Sequence, residues 1–138
     1  MEDSSSDANL FMRHLDSSQV VQEVVWVKTG EEALMYLRQT GQYTGAPRPD
    51  LIVLDLMLPG LSGQDLLAIV KADPLLRQIP VLVLTGSAQD NDVYRVYSLH
   101  ANCYVEKPID PKDYRFTVKT IEAFWLNLAV LPPKQATA

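Results

Sequence analysis

Asp55 lies inside LIVLDLMLPG, residues 51–60, as the one carboxylate in an otherwise aliphatic stretch before Pro59. A bare charge in such a run is costly to bury unless it is paired, hydrogen-bonded or bound to a metal. Two further groups able to do chemistry stand at comparable positions. Thr85 closes the apolar run before Gly86, and Lys107 precedes Pro108. Read singly, each has an ordinary explanation: a strand-end aspartate capping a turn, a last β-branched residue, a surface lysine at a turn. Read together they are a nucleophile, a hydroxyl donor and a cation. Glu2 and Asp3 add two carboxylates just before the first helix. On their own they read as a frayed acidic terminus or as a complement to the helix dipole. If they meet Asp55, their mutual repulsion calls for a cation, and hard oxygen ligands of this kind favour Mg²⁺.

The elements that must position these groups alternate. Residues 8–15, 31–39, 62–72, 90–99 and 111–129 read as helices, with Ser62 as one cap and Asp110 followed by Pro111 as another. Residues 23–27, 51–58, 80–85 and 102–105 read as strands, two of them continuously apolar. Residues 40–49 form a loop rich in Gly and Pro. Helices alternating with strands that are apolar on both faces predict an α/β fold, a doubly wound parallel sheet covered on both sides. In such sheets chemistry sits at the carboxyl ends of the strands. That rule predicts that Asp55, Thr85 and Lys107 meet.

The whole chain narrows the function classes. Its 138 residues suit one domain. A formal net charge of -5 argues against nucleic acid as a partner. No apolar stretch reaches transmembrane length, so no membrane partner is expected. Cys103 is the sole cysteine, which excludes an intrachain disulfide and suits a reducing, cytoplasmic location. His14 and His100 lack metal-ligand spacing. Phe124, Trp125, Leu126 and Leu128 crowd the last helix, where packing on the sheet is the default and a homodimer contact the other use.

Five stretches, EDSSSDANLF, GEEALMYLRQTGQY, RPDLIVLDLMLPGLSG, IPVLVLTGSA and LHANCYVEKPID, give the chain a family resemblance. It resembles the CheY-like receiver domains of two-component response regulators. Among these it is most similar to the stand-alone receivers that serve bacterial phytochrome-type histidine kinases. The resemblance implies a flavodoxin-like sheet, with residues 1–131 as the receiver and 132–138 as a disordered tail. It implies that Asp55 accepts a phosphoryl group from a kinase phosphohistidine. Glu2, Asp3, Asp55 and the backbone carbonyl of Met57 would hold Mg²⁺. Thr85 would hydrogen-bond one phosphoryl oxygen and Lys107 would pair with another. A cis peptide bond before Pro108 would aim Lys107, and Tyr104 would be the switch aromatic that turns inward as Thr85 moves. Gly86 would leave room for the incoming group, and Met57 and Ser87 would flank the path of hydrolytic water.

The family places a full apolar strand before the acidic pair, whereas Met1 alone precedes Glu2 here. One residue reaches about 3.5 Å, so the first strand is expected to be missing, leaving a gap in the sheet and an untethered acidic pair. The preferred function is a single-domain phosphoacceptor switch, not an enzyme in its own right. The alternative is a degenerate receiver that works as a non-phosphorylated interaction module. An aspartyl phosphatase is disfavoured, since such enzymes carry a second aspartate where Met57 stands.

Overall fold

The computed structural model describes residues 1–15, 23–87 and 89–134. Helix α1 spans Ser5–Leu15, α2 Gly30–Arg38, α3 Gly63–Ala72, α4 Asp90–Ser98 and α5 Pro111–Ile121. Strands β1 (Ile52–Leu54), β2 (Val81–Thr85) and β3 (Cys103–Glu106) form one parallel sheet in the order β1-β2-β3. Ile52 lies beside Val81, and Val83 beside Tyr104.

The side-chain period of two divides the core between the faces of the sheet. Ile52, Leu54, Val81 and Val83 join Ala33, Leu37, Leu66, Leu67 and Val70 of α2 and α3. Leu82 and Leu84 face the other way, onto Leu15 of α1 and Tyr114, Val118 and Ile121 of α5. The doubly wound arrangement expected from alternation is therefore present.

Caps fix where the helices begin. Thr29 accepts from the Glu32 N–H, Ser62 from the Asp65 N–H and Asp110 from the Lys112 N–H. The predicted helix over residues 111–129 is not uniform. Helix α5 ends at Ile121, and Glu122–Leu128 continues as a wider π-helical stretch. The extra residue per turn lets the sequence neighbours Trp125 and Leu126 both pack against the α5 side of the core.

Residues 23–27 do not form the predicted strand. The reason lies in hydrogen bonding. Met1 occupies the lane beside β1: its amine donates to the Val53 carbonyl (2.9 Å) and its carbonyl accepts from the Asp55 N–H (3.1 Å). The Glu2 N–H then reaches the Val27 carbonyl (3.0 Å). Among the described residues no backbone hydrogen bond joins residues 23–26 to a neighbour, so the segment lacks the partner that makes a strand. A cavity of about 480 Å³ remains in that lane, lined by residues that include Val25, Val27, Ile52 and Val53. Glu2 is nevertheless tethered, because the Trp26 indole N–H donates to its carbonyl (2.7 Å). Of the expected disordered tail, residues 132–134 carry no regular structure, and residues 135–138 lie outside the described ones.

Candidate functional site

The three strand ends converge as the topology requires. Asp55 follows β1, Thr85 ends β2, and Lys107 follows β3. The Thr85 hydroxyl, fully buried, donates to Asp55 Oδ1 at 3.0 Å. The Met57 N–H donates to the same oxygen at 2.9 Å. Lys107 Nζ donates to Asp55 Oδ2 at 2.7 Å. The Lys107 N–H to Thr85 carbonyl bond (2.7 Å) locks the two strand ends together. The buried charge of Asp55 is thus both paired and hydrogen-bonded, which answers the cost of placing it in an apolar run.

Lys107 is the hub. Its ammonium donates to Asp55, to Glu2 in a short contact, and to Asp7 Oδ2 at 3.0 Å. Burial opposes its charge, but the three carboxylates outweigh that and hold it above the usual lysine value. Burial works against the Asp55 charge too, yet contacts with Glu2, Lys107 and the Met57 N–H keep its carboxyl below the usual range. Glu2 bears the opposite balance. Burial, with Asp55 alongside, pushes its carboxyl up to about 8 against the pull of Lys107.

Oxygens of Glu2, Asp3 and Asp55 lie within 4.8 Å of one another. Glu2 Oε2 is buried and has no hydrogen-bond partner. A buried carboxyl oxygen left without a partner beside two further carboxylates fits a divalent cation, which would hold Glu2 ionised, and the all-oxygen donor set fits a hard one. Asp3 is exposed and Met57 is 72% exposed, so the site opens to solvent on that side.

Other sequence expectations fare differently. No cis peptide bond occurs among the described residues, so the bond before Pro108 is trans. The trans linkage is the intrinsically preferred isomer, and the ladder bond and the carboxylates already aim Lys107. A Cβ at Gly86 would meet nothing within 4 Å, so the room there comes from an open surface rather than from the glycine. Tyr104 is half-buried against the core, with its hydroxyl donating in a short bond to the Ser87 carbonyl. The Ser87 hydroxyl donates to Asp92 on α4 (2.7 Å). Asp7 is a functional residue that the sequence reading misses, since residue type marks it only as one N-cap candidate before the first helix. The signal that could have found it is its place in the first turn of α1, just after the acidic pair.

The response regulator receiver domain description matches residues 1–119. The chain belongs to that family. It is 42% identical to the response regulator Rcp1 of Synechocystis sp. over 132 residues, covering 96% of this chain and 90% of Rcp1. The Mn²⁺-bound form of Rcp1 superposes with a TM-score of 0.94 at 42% identity, covering 96% of each chain. The phosphorylated cyanobacterial phytochrome response regulator RcpA gives 0.94 at 47% identity, covering 96% of this chain and 95% of RcpA. This receiver is thus similar to phytochrome-associated regulators, within a family of two-component phosphoacceptor switches rather than enzymes. No helix of the described residues is long and apolar enough to cross a membrane.

Proposed function

We propose that this receiver accepts a phosphoryl group on Asp55 from a histidine kinase and signals by the conformational change that follows. One observation carries the reading: Asp55 meets Thr85 on one carboxylate oxygen and Lys107 on the other, at 3.0 and 2.7 Å. In the transfer, an Asp55 oxygen forms a bond to phosphorus while the bond from phosphorus to the kinase imidazole nitrogen breaks. The electron pair leaves on that nitrogen. There is little other covalent chemistry to perform, so catalysis is positioning plus charge stabilisation. Lys107 shifts from the carboxylate to a phosphoryl oxygen, and Thr85 gives its hydroxyl to another. Tyr104 gives up its hydrogen bond to the Ser87 carbonyl, follows Thr85 inward and passes the change to the surface near α4.

Glu2, Asp3, Asp55 and the Met57 carbonyl are the residues that would hold Mg²⁺. Bound there, the ion supplies positive charge to the phosphoryl oxygens and relieves the crowding of carboxylates. We assign residues 1–131 to the receiver unit. The kinase partner is inferred to be of phytochrome type, from the similarity to RcpA. A cytoplasmic location and a self-association face on the last helix belong to the same reading.

The test is intact-mass measurement after incubation with Mg²⁺ and a small phosphodonor such as acetyl phosphate. Wild type is expected to gain one phosphoryl group and Asp55→Asn none. An unchanged wild-type mass would instead favour the alternative, a degenerate receiver that acts as a non-phosphorylated interaction module.

A further inference from the structure

Lys107 has three ammonium donors and all three are used, on Glu2, Asp55 and Asp7. Two of those acceptors have other duties in the reading above. Glu2 belongs with the divalent cation, and Asp55 is consumed when it takes the phosphoryl group. Asp7 alone has no second claim on it. Its position is fixed from two sides. The Asp7 N–H donates to Ser4 Oγ (3.3 Å) in the first turn of α1, and its carbonyl accepts from the Tyr114 hydroxyl of α5 (3.4 Å).

We propose that Asp7 is a positioning residue that keeps Lys107 aimed at the phosphoryl group once Glu2 and Asp55 are otherwise engaged. The proposal rests on the phosphoacceptor reading. With a permanent anchor, the ammonium moves only from a carboxylate oxygen to a phosphoryl oxygen. Without one, it swings on a four-carbon stem into the open side of the site and must be re-immobilised in each transition state. A first-turn aspartate that served only the helix dipole would influence stability and leave the chemistry alone.

Two measurements on the full chain separate these roles. In the first, phosphorylation by acetyl phosphate at saturating Mg²⁺ is followed for wild type, Asp7→Asn and Asp7→Glu. The Asp7→Asn rate constant at saturating donor is expected to fall by about tenfold with half-saturation unchanged, and Asp7→Glu to recover most of the rate. An Asp7→Asn rate within about twofold of a reactive wild type overturns the proposal. The second is independent of phosphorylation. In Mg²⁺-loaded protein, ¹⁵N NMR detects lysine ammonium groups whose protons exchange slowly with water, and Lys107→Arg identifies the signal of Lys107. That signal is expected to persist in wild type and Asp7→Glu and to vanish in Asp7→Asn. Its persistence in Asp7→Asn overturns the anchor even if no chain takes up phosphate, whereas wild type failing to react while the signal behaves as expected overturns only the phosphoacceptor reading.

Discussion

Tyr114 shows how one side chain ties helix packing to the charged site. Its ring is buried against Leu82, Leu84 and Val118, while its hydroxyl reaches the Asp7 carbonyl. Burial pushes its phenol up to about 12 from an ordinary 10.0. Between those values the folded chain keeps a proton that the unfolded chain has lost. The unfolded state binds fewer protons there, so stability falls as pH rises through the window. A shift of this size corresponds to about 2–3 kcal/mol, fully present below pH 10 and lost by about pH 12. Tyr114→Phe keeps the ring and removes the titration. Denaturant unfolding on either side of pH 10 is expected to show a steeper loss for wild type than for Tyr114→Phe, and parallel curves would refute it. Asp55, Thr85 and Lys107 were legible in the sequence because strand-end placement follows from topology alone. Asp7 and the Met1 amine were not, because their contacts depend on where α1 and the first residues lie across the sheet, which no local pattern encodes.

At the scale of the element, α3 is built directly onto the backbone that carries Asp55. Ser62 caps it, and the Gly63 N–H donates to the Leu56 carbonyl (3.1 Å). A Cβ on Gly63 would sit 2.5 Å from the Asp55 carbonyl oxygen and 2.6 Å from Leu56 Cα. Gly→Ala inside a helix ordinarily gains about 1 kcal/mol. Here the obstacle is main chain, which cannot rotate away as a side chain could, and overpacking of this kind costs about 1–3 kcal/mol. Gly63→Ala is therefore expected to be destabilising by up to about 2 kcal/mol net, with slower phosphorylation because Asp55 shifts. Gly86→Ala, which meets nothing within 4 Å, is the control expected to leave the denaturant midpoint near wild type. The Ser62 and Asp110 caps were readable from residue type, and so was the position of α3. Neither the absence of a strand at residues 23–27 nor the π-helical stretch was readable. Val24, Val25, Trp26 and Val27 have strand-forming side chains, but a strand needs a partner as well as a propensity.

At the scale of the whole molecule, the lane beside β1 is the least filled part of the sheet among the described residues. Val53 is only half-buried in the middle of its strand, and the Met1 amine takes the last ladder position. Burial lowers that amine to about 6, because an ammonium there is stripped of water. In a parallel ladder alternate residues of a strand bond to opposite neighbours, so Val53 is the β1 residue that faces away from β2, and with its carbonyl held by Met1 its N–H is the group left facing the cavity. Fusing a stretch of five β-branched apolar residues ahead of Met1 should extend the existing pairing, fill the cavity and give residues 23–27 a partner. Each buried side chain contributes about 1.5–3 kcal/mol, opposed by about 1–2 kcal/mol per ordered backbone residue. The net gain is expected to be a few kcal/mol, read as a rise in Tm of roughly 5–15 °C. Amide protection should appear at Val25 and Val27 in the same protein. The matched control carries proline at the middle position, which cannot donate to the ladder and should give neither effect. An equal rise in Tm for both extensions would mean that the gain comes from covering apolar surface, and that the lane beside β1 is not a vacant strand position.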